Sequence, residues 1–441
     1  MGSEWEEVTV ADIAAQERNA LVGGPFGSDL VSRDYVSVGV PVIRGQNMGA
    51  RWISGDFVFV TQNKASSLSA NLARPGDLVF TQRGTLGQVA IVPNAPYDYY
   101  LISQSQMKLT VNLEKADPLF YYYVFQSNEQ QEYVRSHTIQ TGVPHTNLGI
   151  LRSTPVPLPP LPEQRAIAAV LGALDDKIEL NRRMNGTLEG LARALFRAWF
   201  VEFEPVRAKM EGRPTGLAAE IEALFPEALV VGEDGGERPR GWEVASLPEF
   251  VEINPSRTLR VGTNAPYLDM ANMPTETARA TGFRERGFSS GMRFINGDTL
   301  VARITPCLEN GKTCFVDFLE EGTVGWGSTE YIVLHPRAGL PDEFAYFLAR
   351  TERFREFAIS NMTGTSGRQR VPVSVLEHFM FPVPTIPIAE RFGQIARHTL
   401  LKMKANDEQS ATLAALRDEL LPRLMRGEVR VSNLENVFGV V

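Results

Sequence analysis

Asp175-Asp176-Lys177 matches the acid-x-lysine part of a nuclease site. The triplet lies between Leu174 and Ile178, two positions of an apolar helical pattern, so a solvated helix face accounts for it more simply. Cys307 and Cys314 bracket a segment read as a hairpin closed by Asn310-Gly311. Two thiols in 441 residues cannot build a disulfide framework, and five scattered histidines lack zinc-ligand spacing. Buried free thiols are therefore expected, and a reducing compartment. His145 and His378 each lack the neighbouring acid and nucleophile of a triad. No phosphate-cradling glycine loop ending in Lys-Ser/Thr occurs, and no His-Glu-x-x-His or nucleophile elbow. The Asn/Asp-Pro-Pro-aromatic signature of amino-methyltransferases is also missing, Asn254-Pro255-Ser256 being the nearest approach. The expectation is a chain with no catalytic site, no metal and no cofactor of its own.

What remains is recognition chemistry. Arginine suits guanine, asparagine and glutamine suit adenine, and all work best on exposed turns. In the first half the candidates are Arg44, Gln46 and Asn47, then Gln82 and Arg83, then Ser103, Gln104 and Gln106, and last Gln140, Thr141, His145 and Asn147. In the second half they are Asn272, Arg303, Lys312, Ser328 and Thr329, with the segment Thr363 to Arg370. That segment is the favoured one, because its small residues let backbone approach phosphate while Arg368 and Arg370 flank Gln369, next to Thr365 and Ser366. Asn47 and Asn272 recur in both halves, which suits turn building better than discrimination. A net charge of −8, from 44 basic and 52 acidic residues, is low for a protein that grips phosphates. The case for DNA must come from organisation.

The elements that would position these residues form a duplicated plan. An offset of 225 carries Pro41, Asn47, Met48, Ser103, Leu109, Asp117, Tyr121 and Thr138 onto Pro266, Asn272, Met273, Ser328, Leu334, Asp342, Tyr346 and Thr363. It also carries Pro157, Pro159, Pro162, Asn181 and Leu188 onto Pro382, Pro384, Pro387, Asn406 and Leu413. Each copy opens with an α+β globule, over 1–160 and 241–385, holding short strands such as those around Leu78 and Val89 and a helix near 117–135 or 342–358. Each then passes a proline-rich hinge into helical spacing, over 161–203 and 386–428. Ile167, Leu171, Leu174, Ile178, Asn181, Asn185, Leu188, Ala192, Leu195 and Trp199 alternate steps of four and three. Their counterparts include Met403, Asn406, Leu413, Leu416, Leu420 and Leu424. Heptads of this length predict that the two helices pair with each other, with the shared asparagine fixing register. Residues 204–240 read as a linker with one short helix, and 429–441 as a tail. The N-terminal residues show no export or lipidation pattern and no run is long enough to span a bilayer, so a cytoplasmic protein free of membranes is expected.

Leu158-Pro159-Pro160-Leu161-Pro162-Glu163-Gln164-Arg165-Ala166-Ile167, with Leu174-Asp175-Asp176-Lys177-Ile178 and Asn181, resembles the central conserved region of the specificity subunit of type I restriction-modification systems. Leu195 to Lys209 is similar to the sequence that follows it, and Gly23-Gly24-Pro25-Phe26-Gly27-Ser28 and Gly76 to Phe80 resemble patterns of that family's recognition domains. The second copy departs from the pattern, with Ile386-Pro387-Ile388-Ala389-Glu390-Arg391 in place of Pro-x-Glu-Gln. The resemblance implies two target-recognition domains that each read half of a bipartite site in double-stranded DNA, held apart by an antiparallel helix pair. It implies that chemistry belongs to partners: methyltransferase subunits, expected as two copies and using S-adenosylmethionine, and an endonuclease-translocase using ATP and magnesium. Two other readings fit the same residues, a coiled-coil scaffold with protein-binding globules and a stand-alone DNA-modifying enzyme.

Overall fold

The computed structural model describes residues 5–139, 145–232, 235–337, 339–365 and 367–431. It divides into two units, 1–178 with 410–441, and 179–409, both of which mix sheets and helices. Each unit contains half of each long helix, so its core is closed by segments distant in sequence.

In the first unit a four-stranded antiparallel sheet runs in the order Leu21–Gly23, Gln106–Leu109, Leu78–Thr81, Val89–Ile91. A second sheet contains one parallel pair, Val40–Ile43 beside Tyr100–Ile102. Glu6–Thr9 pairs with Pro155–Leu158, the strand that leads into the first long helix. The core fills from Pro118–Gln126, where Phe120 to Phe125 are all buried, and from Ile167, Leu171, Leu420 and Leu424 of the long helices. The second unit repeats the scheme. Its antiparallel sheet runs Val251–Ile253, Tyr331–Pro336, Thr299–Ala302, Thr313–Phe315, and its parallel pair is Asn264–Leu268 beside Gly325–Gly327. Glu243–Ser246 pairs with Met380–Val383. Phe196, Trp199, Phe200, Phe344, Phe347 and Phe392 dominate its core.

The long helices are Leu161–Phe200 and Ile386–Met425, 40 residues each and 225 apart at both ends. Within the second unit they run antiparallel. Asn181 Nδ2 donates to Asn406 O at 3.2 Å and Gln409 Oε1 at 2.9 Å, while Asn185 Nδ2 donates to Met403 O at 3.2 Å and Asp407 Oδ1 at 2.7 Å. Asn406 Nδ2 returns a bond to Asn185 Oδ1 at 2.7 Å. All three asparagines are buried, so each must find partners across the seam, and that is how they specify register. Leu171 and Leu420 are buried, and Leu174, Ile178, Leu188, Leu195, Leu413 and Leu416 half-buried, as the seam requires.

Several local expectations change. The single helices read at 117–135 and 342–358 are each broken in two, because Ser127 and Thr351 cap new helices, accepting from Gln130 N at 3.3 Å and Phe354 N at 3.2 Å. Cys307 and Cys314 do not flank a tight Asn-Gly hairpin. Residues 305–311 fold into turns, with Leu308 N bonded to Ile304 O at 3.0 Å and Asn310 N to Pro306 O at 2.9 Å. Both thiols are free, and burial pushes Cys314 up to about 12. Where one short helix was expected in 204–240, the structure has two, Glu204–Met210 and Ala219–Glu222, followed by a hairpin of Leu229–Val231 and Glu237–Pro239. Val206, Ile221 and Phe225 bury in the second unit's core, which anchors the segment.

Candidate nucleic-acid interface

In the first unit the turn Ser103–Gln106, between two core strands, gathers most of the candidates. Ser103 N donates to Ile43 O at 3.1 Å, which brings the end of strand Val40–Ile43, and so Arg44, alongside. Gln82 N donates to Ser105 O at 2.7 Å, and Thr146 N to Gln82 O at 3.0 Å. Arg83 bridges to His145. Gly24 N donates to Gln106 O at 2.8 Å, and a Cβ at Gly24 would overlap the carbonyl of Ser103, so this close approach requires glycine. Arg83 and Gln104 are exposed, with Gln104 Nε2 held on Leu30 O at 2.9 Å, and Arg44, Gln82 and His145 are half-buried. These residues form one rim. Gln46 is exposed but turned to Asp56 O at 3.0 Å. Asn47 is buried and builds that turn, accepting from Arg44 N at 3.0 Å and donating to Ser54 O and Asp56 O. Gln106 is buried against Ser103, and Asn147 caps a helix by accepting from Ile150 N at 2.9 Å. Gln140 and Thr141 lie outside the described residues.

The second unit builds a matching rim. Arg370 bridges to Ile304 and to Thr363, the place His145 takes in the first unit relative to Ile139. Arg303 N donates to Glu330 O at 3.0 Å and Val371 N to Arg303 O at 2.9 Å, while Gln369 N donates to Thr305 Oγ1 at 3.1 Å. The Arg370 guanidinium grips both carboxylate oxygens of Glu330 at 2.7 to 2.9 Å, holding Glu330 below the usual carboxylate range. Thr365 and Arg368 are exposed, with no side-chain ion pair for Arg368 among the described residues. Ser366 lies outside the described residues. Lys312 does not join this rim: its Nζ donates to the carbonyls of Met270 and Ala271, making it a tie between loops. Asn272 differs from Asn47, since it is half-buried and its backbone N donates to Asp269 Oδ1 at 3.0 Å.

Three features escaped the sequence reading. Phe26 is 84% exposed on the Gly-rich loop of the first rim. Glu330 sits 40 residues from its arginine, with nothing local to announce the pair. Gln164 is fully buried and locks the start of the first long helix to its globule, accepting from Asp117 N at 2.9 Å and donating to Lys115 O and Pro159 O at 2.8 Å. The nuclease-like triplet is structural. Asp175 accepts from Tyr123 Oη at 2.6 Å and from Arg417 Nη1 at 2.7 Å, and Asp176 pairs with Arg51. Among the described residues no group of three or more His, Cys, Asp or Glu could hold a metal ion, and no helix is long and apolar enough to cross a membrane.

Residues 2–190 match the family model for the type I restriction modification DNA specificity domain. The chain is 24% identical to the MjaIX specificity subunit of Methanocaldococcus jannaschii, over 98% of this chain and 95% of that one. It is 24% identical to the HindI specificity subunit of Haemophilus influenzae, over 81% and 87%. Among solved structures, the type I restriction-modification S subunit from M. genitalium shares the fold with a TM-score of 0.54 at 15% identity, covering 96% of each chain. Residues 2–190 thus resemble the type I restriction modification DNA specificity domain, and along nearly its whole length the chain is similar to specificity subunits of type I restriction-modification systems, with the fold of one of them.

Proposed function

We propose that each unit reads one half of a bipartite DNA target through its rim, and that the chain thereby directs partner methyltransferase and endonuclease subunits to that target. The observation that carries this reading is one scaffold bearing two chemistries. At positions 225 apart, His145 stands where the second rim has Arg370, and Ser105 where it has Glu330. Shared turns place the side chains, and differing side chains suit differing half-sites. The chain takes the non-catalytic part in the complex. Methyl transfer falls to two modification subunits with S-adenosylmethionine, and cleavage to a translocating subunit with ATP and magnesium. The acidic net charge fits this division, since partners supply part of the phosphate neutralisation. The expected location is the cytoplasm, where the DNA is. The test is to reconstitute the chain with its methyltransferase subunits and map methylation. One bipartite motif is expected, and the double variant Glu330→Ser, Arg370→His should alter one half of it while sparing the other. Changes in both halves would overturn the one-unit, one-half-site reading.

A further inference from the structure

The second unit carries an arginine face apart from its rim. Its mixed sheet runs Arg284–Gly287, Asn264–Leu268, Gly325–Gly327, Met292–Phe294. Directly paired residues share a face of a sheet. The pairs Tyr267↔Arg284, Ala265↔Arg286, Tyr267↔Trp326 and Trp326↔Arg293 therefore set three arginines and two aromatic rings on one side. The other side, with Leu268 and Phe294, is buried in the core. Arg284 lies 5.5 Å and Arg286 4.8 Å from the Tyr267 ring, Arg286 also 5.5 Å from Trp326, and Arg293 5.9 Å from Phe288.

The first unit treats the same positions differently. Val40, Val42 and Leu101, 225 residues before Ala265, Tyr267 and Trp326, are buried under Leu30 and Ala65 in an apolar cluster. The second copy also buries Ala265 and Trp326, beneath Phe288 and Leu259, but adds arginines over these rings. Stacking orders the guanidinium planes, yet their N–H edges still need acceptors. Among the described residues the three make one ion pair, Arg284 with Asp269 at 3.9 Å. In a chain of net charge −8, such a concentration of ordered positive charge calls for an anion. The arginines span the sheet from its first strand to its fourth, about 14 Å at 4.8 Å per strand. That spread is too wide for one phosphate and suits a polyanion. The strand Gly325–Gly327 beneath them runs on into Ser328–Glu330, which carries the rim's Glu330.

We propose that this face grips the phosphate backbone of the DNA held by the second unit, a contact that adds affinity without reading sequence. The proposal rests on the DNA-reading assignment above. It is tested in the complex with methyltransferase subunits by measuring affinity against salt for a target duplex and a scrambled one. In the variant Arg284→Gln, Arg286→Gln, Arg293→Gln, both duplexes should lose affinity in parallel. The log–log salt slope should shrink by about 2.7, so a fourfold rise in salt costs roughly 40-fold less affinity than in the parent. The corresponding triple lysine variant should keep the parental slope, because it keeps the charge. An unchanged slope in the glutamine variant, or a lysine variant as weak as the glutamine one, overturns the proposal. Failure of the glutamine variant to copurify with the methyltransferase subunits would also overturn it, assigning the face to a protein partner. A parent chain that fails to prefer its target would instead sink the DNA-reading assignment itself.

Discussion

The seam asparagines give the account a sharp energetic test. Asn406 Nδ2 donates to Asn185 Oδ1 at 2.7 Å, and both residues are buried. Asn406→Ala deletes the donor and leaves the Asn185 oxygen without it in a place water does not reach, at a cost of about 1 to 3 kcal/mol. Asn185→Ala deletes the acceptor together with the bonds to Met403 O and Asp407 Oδ1, so its cost should lie toward the top of that range. In the double variant the shared bond is lost only once, and the total should fall short of the sum by about 1 to 2 kcal/mol. Replacing both by leucine removes donor and acceptor together and should be close to neutral. The assay is hydrogen exchange of the helix amides in 179–200 and 386–409, which reads local opening, each 1.4 kcal/mol speeding exchange about tenfold. Single-variant costs that add to within 0.5 kcal/mol, roughly the scatter of independent sites, would show that the two side chains do not meet and that the register is wrong.

Three further outcomes follow from named contacts. His335 lies 2.9 Å from fully buried Asp298, whose hydrogen bond raises the imidazole above its ordinary value of 6.5. A raised folded value means the stabilisation is complete below 6.5 and fades as pH climbs through the folded value. Thermal unfolding of the parent should therefore weaken from neutral pH upward, while His335→Gln should show a flatter profile, and identical profiles would contradict the pairing. Arg368→Ala should lower target affinity about tenfold or more if Arg368 contacts a base, whereas Glu330→Gln, by releasing Arg370, should tighten binding to any duplex. Equal affinities in gel-shift titrations would remove both from the interface. Tyr123→Phe should cost about 1 to 2 kcal/mol by stripping a part-buried bond from Asp175, measured by denaturant unfolding, and the variant complex should still methylate.

Periodicity and repetition carried most of the fold. The 225-residue offset and the step-four, step-three spacing of Ile167 to Trp199 reach the two long helices and their pairing, because burial along a seam leaves a mark on every turn. The breaks at Ser127 and Thr351 were missed, since a serine or threonine within an apolar pattern can cap a helix or ride on its surface, and only the tertiary path decides. The recognition rims were half legible. Turn chemistry singled out Arg83 and Arg368, which the structure leaves exposed, but could not separate them from Lys312, Gln104 or Gln106, whose polar atoms bond within the fold. The arginine face was invisible, because its members come from separate strands and only the cross-strand pairing of Arg284 with Tyr267, and of Arg293 with Trp326, brings them together.

The central claim is that each unit reads one half-site, and methylome sequencing tests it most directly. Cells would carry the methyltransferase subunits with the parent chain, with a variant in which residues 363–370 are replaced by the equivalent 138–145, or with no chain. The account predicts one bipartite motif with the parent, no motif without the chain, and with the graft an unchanged half-site on one side of the gap and a new or relaxed one on the other. Methylation at the parental motif in cells lacking the chain, or a graft that alters both half-sites together, would contradict it.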